Sequence, residues 1–97
     1  MFIKSDPPRN GQLRVYWIPQ IPMRSFEFDV DSPLEAQKYI AVLAEYDQFQ
    51  LDNNIKPDYS NAGGLKVFDI TDKTDGPDGS WLEWEDDEGD DIDAWEP

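Results

Sequence analysis

Hydrophobic and polar positions alternate most regularly over residues 25–31, Ser-Phe-Glu-Phe-Asp-Val-Asp. Phe26, Phe28 and Val30 fall on one side, and Glu27, Asp29 and Asp31 on the other. That period of two predicts a strand with one buried face. The preceding run, Leu13-Arg14-Val15-Tyr16-Trp17-Ile18, is β-branched and aromatic and is stopped by Pro19, so it predicts a first strand. Ile21-Pro22-Met23 continues extended, because the residue before a proline is pushed out of the helical region.

Ser32-Pro33-Leu34-Glu35 changes the period. Ser32 can cap a helix, Pro33 suits its first position, and Glu35 completes a capping box. Ala36, Ile40, Leu43 and Ala44 then share one face at three- and four-residue steps, with Tyr39 and Tyr46 at its margins. The helix is expected to end between Asp47 and Leu51. Residues 52–64 read as a long polar loop with three Asn, one Pro and a Gly pair. Leu65-Lys66-Val67-Phe68-Asp69-Ile70 returns to strand, with Leu65, Val67 and Asp69 on one side. Residues 71–79 read as a turn region and residues 80–84 as the partner strand. The expected fold is α+β, ββαββ, with one helix laid on an antiparallel sheet. Residues 1–11, which hold Pro7, Pro8, Asn10 and Gly11, are expected to form an arm. Residues 12–84 form the domain and residues 85–97 an acidic tail that docks back or stays in solvent.

Composition narrows the chemistry. Ninety-seven residues fit one domain. Aromatic content of 13% lets a small core bury large rings. The chain has no Cys and no His. Disulfides, thiolate nucleophiles, the commonest general base and the commonest transition-metal ligand are therefore excluded. Acid/base hydrolysis by paired carboxylates would need one of them in an apolar pocket, which a solvated acidic run does not supply. The expectation is a binding protein, with no catalytic residue and no cofactor. No apolar run approaches the ~20 residues of a membrane span, and the polar start is unlike a signal peptide. The expected location is the cytoplasm.

Charge is distributed unevenly. The formal charge is -14, and residues 69–97 hold thirteen acids against Lys73 alone. Such a balance argues against direct binding of nucleic acid or of an anionic membrane. Asp72, Asp75 and Asp78, and later Asp86, Glu88, Asp90 and Asp93, are ligand types for hard cations, but neither run matches a calcium loop, and no metal site is assigned.

Two segments stand out as binding candidates. In the loop, Asn53, Asn54, Asp58, Ser60 and Asn61 offer donors and acceptors around the Tyr59 ring. Lys56 supplies a cation there, and Gly63-Gly64 would let a backbone approach closely. The competing reading is an ordered connection whose Asn side chains bond its own backbone. In the acidic end, Trp81, Trp84 and Trp95 stand among Asp86, Asp87, Glu88, Asp90 and Asp91. Carboxylates so spaced can imitate a phosphate row, or they can simply solvate a tail.

Four stretches carry a resemblance: Tyr16-Trp17-Ile18-Pro19-Gln20-Ile21-Pro22-Met23; Leu43-Ala44-Glu45-Tyr46-Asp47-Gln48-Phe49-Gln50; Asn54-Ile55-Lys56-Pro57-Asp58-Tyr59-Ser60-Asn61-Ala62-Gly63-Gly64-Leu65; and Trp81-Leu82-Glu83-Trp84 with its acidic finish. Over residues 13–93 the chain resembles small tailed-phage and prophage proteins labelled superinfection-exclusion proteins. The resemblance implies a phage accessory protein in the contest with host defence or rival phages. It transfers no catalytic residue. Three readings stay open: binding and neutralising a host or competitor protein, sequestering a small nucleotide through the loop, and mimicking DNA through the acidic end. A homodimer through the aromatic-rich sheet is a further open alternative.

Overall fold

The computed structural model describes residues 7–97; part of the arm expected over residues 1–11 lies outside the described residues. Strand β1 spans Leu13–Ile18 and β2 spans Phe26–Val30. Helix α1 spans Pro33–Asp52, followed by β3 at Ala62–Asp69 and β4 at Ser80–Glu83. The expected ββαββ order is observed. All pairings are antiparallel, in the order β2-β1-β3-β4, so α1 carries the chain from an edge strand back to the centre.

Register explains the core. Val15 stands opposite Phe28 on one side and Leu65 on the other, placing three apolar side chains in a row under the helix. Val15, Phe28, Val30, Ala36, Leu65 and Ile92 form the buried cluster, with Leu13, Tyr39, Ile40 and Leu43 packed against it. The helix begins as expected: the Ser32 hydroxyl accepts from Glu35 N at 3.1 Å, and Glu35 Oε1 accepts from Asp31 N at 3.0 Å. It runs one residue past the expected end. Asn53 extends it, because its side chain donates to Phe49 O at 2.8 Å and caps the last turn.

The opposite face of the sheet is also half-buried. Asp29, Arg14, Lys66 and Glu83 stand in register across all four strands. The Arg14 guanidinium bonds Asp29 at 2.6 Å and lies 4.5 Å from the Trp81 ring. Phe68, on the side of β3 away from the helix, is buried edge-on against Trp81 at 5.2 Å. β3 therefore buries apolar groups on both faces, where alternation predicted one. Asn10 and Gly11 lie against this end of the sheet, through Gly11 N to Phe68 O at 2.8 Å and Ile70 N to Asn10 Oδ1 at 3.1 Å.

Candidate functional site

The polar loop is tied to the body by a buried carboxylate. Asp47 extends the apolar stripe of α1 by one step and is 2% exposed. Its Oδ2 accepts from Trp17 Nε1 at 3.0 Å and Asn61 Nδ2 at 2.8 Å, and it pairs with Lys56 Nζ at 3.4 Å. Lys56 is itself buried and also donates to Pro19 O. A buried carboxylate left alone would be strongly destabilising, and three donors offset that desolvation. The signal for Asp47 is its position, an acid on the 36-40-43-44 stripe.

Some of the loop's exposed side chains also bond the chain. Tyr59 Oη donates to Ala44 O at 3.0 Å, and Asp58 accepts from Gln20 Nε2 at 2.8 Å. Ser60 O accepts from Ile21 N at 2.8 Å, so residues 53–61 and the β1–β2 connection hold each other. Asn54 is exposed with φ 61. Gly63 and Gly64 lie inside β3, where they clear space for aromatic neighbours on β1. A Cβ on Gly63 would stand 2.3 Å from Trp17 Cε3, and one on Gly64 would stand 2.6 Å from Tyr16 Oη.

The acidic end has the opposite polarity. Ile92 is 3% exposed and belongs to the core. Trp84 and Trp95 pack edge-on at 5.6 Å against that core. Gln37 of α1 donates to Ile92 O at 3.2 Å and to Trp95 O at 2.7 Å. Asp86 Oδ1 accepts from Glu88 N at 2.8 Å and Asp90 N at 2.9 Å, closing a turn. Asp91 Oδ1 does the same for Asp93 N and Ala94 N. Asp87, Glu88, Asp91, Asp93 and Glu96 remain exposed. An open depression of 540 Å³ lies among Asp86, Asp87, Glu88, Asp90, Ala94 and Trp95. Trp81 is not part of this group, since it lies on the other side of the sheet with Arg14 and Phe68.

Among the described residues no group of three or more His, Cys, Asp or Glu side chains could hold a metal ion. Asp72 Oδ1 instead accepts from Thr74 N at 2.9 Å, and hydrogen bonds from Thr74 hold its carboxyl below the usual range. Asp69, bonded by Thr71, is lowered for the same reason. Burial, then the hydrogen bond and charge of Glu83, push the Tyr16 phenol up to about 12, with smaller contributions from Asp93 and Asp91. Burial pushes the neighbouring Glu27 upward, but hydrogen bonds from Ser25 and Lys66 outweigh it and lower its pKa.

A family model described as superinfection exclusion gene product 17 matches residues 12–96. The chain belongs to that family. Among curated proteins, the superinfection exclusion protein of Salmonella phage P22 is 53% identical over 64 residues, 64% of this chain and 62% of that protein. The match thus spans less than two thirds of the relative's length. No solved structure matches the chain. Three of the stretches that carry the superinfection-exclusion resemblance, residues 16–23, 43–50 and 54–65, meet at Asp47 through Trp17, Lys56 and Asn61. In this chain those three stretches therefore build an internal anchor. Among the described residues no helix is long and apolar enough to cross a membrane.

Proposed function

We propose that the protein serves superinfection exclusion without catalysis, by occupying a cationic surface of a host or competitor protein in the infected cell's cytoplasm. The acidic segment 85–97 is the contact surface. One observation carries this reading: the segment is anchored by Ile92 in the core while Asp87, Glu88, Asp91, Asp93 and Glu96 stay exposed. Carboxylates held in fixed positions bind a cationic partner without the ordering cost of a loose tail. They also accelerate encounter through long-range attraction. Where the partner surface normally holds nucleic acid, the segment takes the place of phosphates.

A nucleotide-sequestering loop draws less support. Lys56 and Asn61 are engaged with Asp47, and Tyr59 with Ala44. The loop leaves few groups for a ligand.

The test replaces charge and leaves the fold alone. A fourfold variant, D87N/E88Q/D93N/E96Q, changes exposed side chains. Plating of a superinfecting phage on cells expressing the variant is expected to show exclusion reduced by about tenfold or more. The melting temperature should be unchanged. Full exclusion by this variant would overturn the reading.

A further inference from the structure

We propose that the outward face of α1 is a docking surface for a cationic amphipathic segment of a partner protein. This goes beyond the acidic-segment reading and does not depend on it. Leu34, Val42, Tyr46 and Phe49 face solvent at 46%, 61%, 56% and 57% exposure. Residues 42, 46 and 49 follow one another at four and three residues, which makes a single stripe along a helix. The Tyr46 and Phe49 rings stack at 6.4 Å with 13° between planes.

Scattered apolar residues on a surface need no explanation, but a contiguous row does. Helix propensity gives no reason for it. Val, Tyr and Phe are poorer helix formers than the Glu, Lys or Ala that would suit an exposed position. The inward face already supplies the core contact, so this second face is surplus to folding. The stripe runs into a depression of 420 Å³ lined by Ser32, Leu34, Glu35, Lys38, Tyr39 and Val42. Tyr39 packs edge-on to Phe28 at 5.4 Å, and Phe28 lies 5.5 Å from Phe26. Phe26 is half exposed on β2, an edge strand. Ring packing therefore links the helix to the sheet edge through the buried Phe28.

Charge selects the occupant. Glu35, Glu45 and Asp52 outnumber Lys38 around the stripe. A second copy would bring like charge against like, and an anionic membrane would be repelled in the same way. A segment with apolar side chains on one face and Lys or Arg on the other fits both features. Its apolar side chains fill the stripe and the depression, and its cations meet the flanking carboxylates.

The experiment titrates the full chain with a Leu/Lys amphipathic helical peptide of roughly 18 residues, long enough to cover the face of α1. A Leu/Lys peptide of the same composition, scrambled to remove the helical period, serves as comparison. Amide shift changes are expected around Leu34, Val42, Tyr46 and Phe49. The variant V42D/F49D should bind about tenfold more weakly, ~1.4 kcal/mol, with its melting temperature kept. V42S/F49S replaces it if the acidic pair lowers stability. The fourfold acidic-segment variant should bind this peptide as the wild type does, so either reading can fail alone. Equal binding of the scrambled peptide, or shift changes gathered on residues 85–96, would overturn the proposal. A wild-type dimer in sedimentation that V42D/F49D dissolves would overturn it too, by making a second copy the occupant.

Discussion

Residues 53–61 and residues 85–97 are both dominated by polar side chains, yet the first segment ties several of them to the chain and the second leaves most of its carboxylates in solvent. In the loop, Lys56 and Asn61 converge on Asp47, and Tyr59 reaches back to Ala44. In the acidic end the apolar minority goes inward, with Ile92 in the core and Trp95 against Trp84, and most carboxylates are left outside. The difference comes from what each segment finds to bury. A loop that passes a buried carboxylate must supply donors to it. A segment with a well-placed isoleucine can dock by burying that side chain, worth roughly 1.5–3 kcal/mol, and needs no polar partner inside. Polar content thus says little about which segment is free to meet another molecule.

The strongest way to break the comparison is Asp47→Ala. The substitution leaves the buried Lys56 ammonium and Trp17 N–H, and the half-buried Asn61 amide, without their shared acceptor. Removing one partner of a buried ion pair costs about 3–5 kcal/mol. Domains of this size hold only about 5–15 kcal/mol of total stability. Urea denaturation is expected to show a midpoint well below that of the wild type. A loss below about 1 kcal/mol, the level of an exposed pair, would mean that the loop is held by other contacts.

The second prediction tests the other region. Ile92→Ala should destabilise by about 2–5 kcal/mol, as for other large-to-small core substitutions. The fourfold charge variant in the same segment should leave the melting temperature unchanged. Thermal melts of the two variants side by side check this contrast. Equal, small effects from both would make the acidic end a loosely attached tail. The same contrast predicts that deleting residues 85–97 opens the core as well as removing charge, so the deletion cannot separate the two effects.

Much of the fold was legible because period and punctuation agree. The alternation over 25–31 and the Ser32-Pro33-Leu34-Glu35 start each satisfy several local rules at once. β1 was bounded by its own β-branched and aromatic run and by Pro19. The candidate site was less legible, for a physical reason. Asn, Lys and Tyr side chains in a loop look alike whether they await a ligand or bond a buried group, and Asp47 lies nine residues before Lys56 and thirty after Trp17. The Gly63-Gly64 pair was ambiguous in the same way: it reads as a place for close approach, and the approaching groups are the chain's own Trp17 and Tyr16 rings. Likewise the two tryptophans that pack together, Trp84 and Trp95, are separated by the longest charge run in the chain, which hides their common face.

The smallest expected effect links the acidic end to the sheet's far face. Tyr16 is the reporter, because its phenol is raised to about 12 by burial, by Glu83 and, more weakly, by Asp93 and Asp91. A tyrosine whose folded value lies above its unfolded value of 10.0 favours the fold in its neutral form. Its contribution is complete below pH about 10 and is lost as pH rises through about 12. With 4 tyrosines in the chain, the Tyr16 phenolate is isolated as the ultraviolet difference between wild type and Tyr16→Phe. Glu83→Gln should lower the midpoint toward 10.0, since it removes both the bonded carboxylate at 3.0 Å and its charge. The pair Asp91→Asn and Asp93→Asn should lower it less, because those carboxylates act only through space and water screens them. A larger fall from the Asp91/Asp93 pair than from Glu83→Gln would place the acidic end nearer the open face of the sheet, and would erase the separation between the two surfaces.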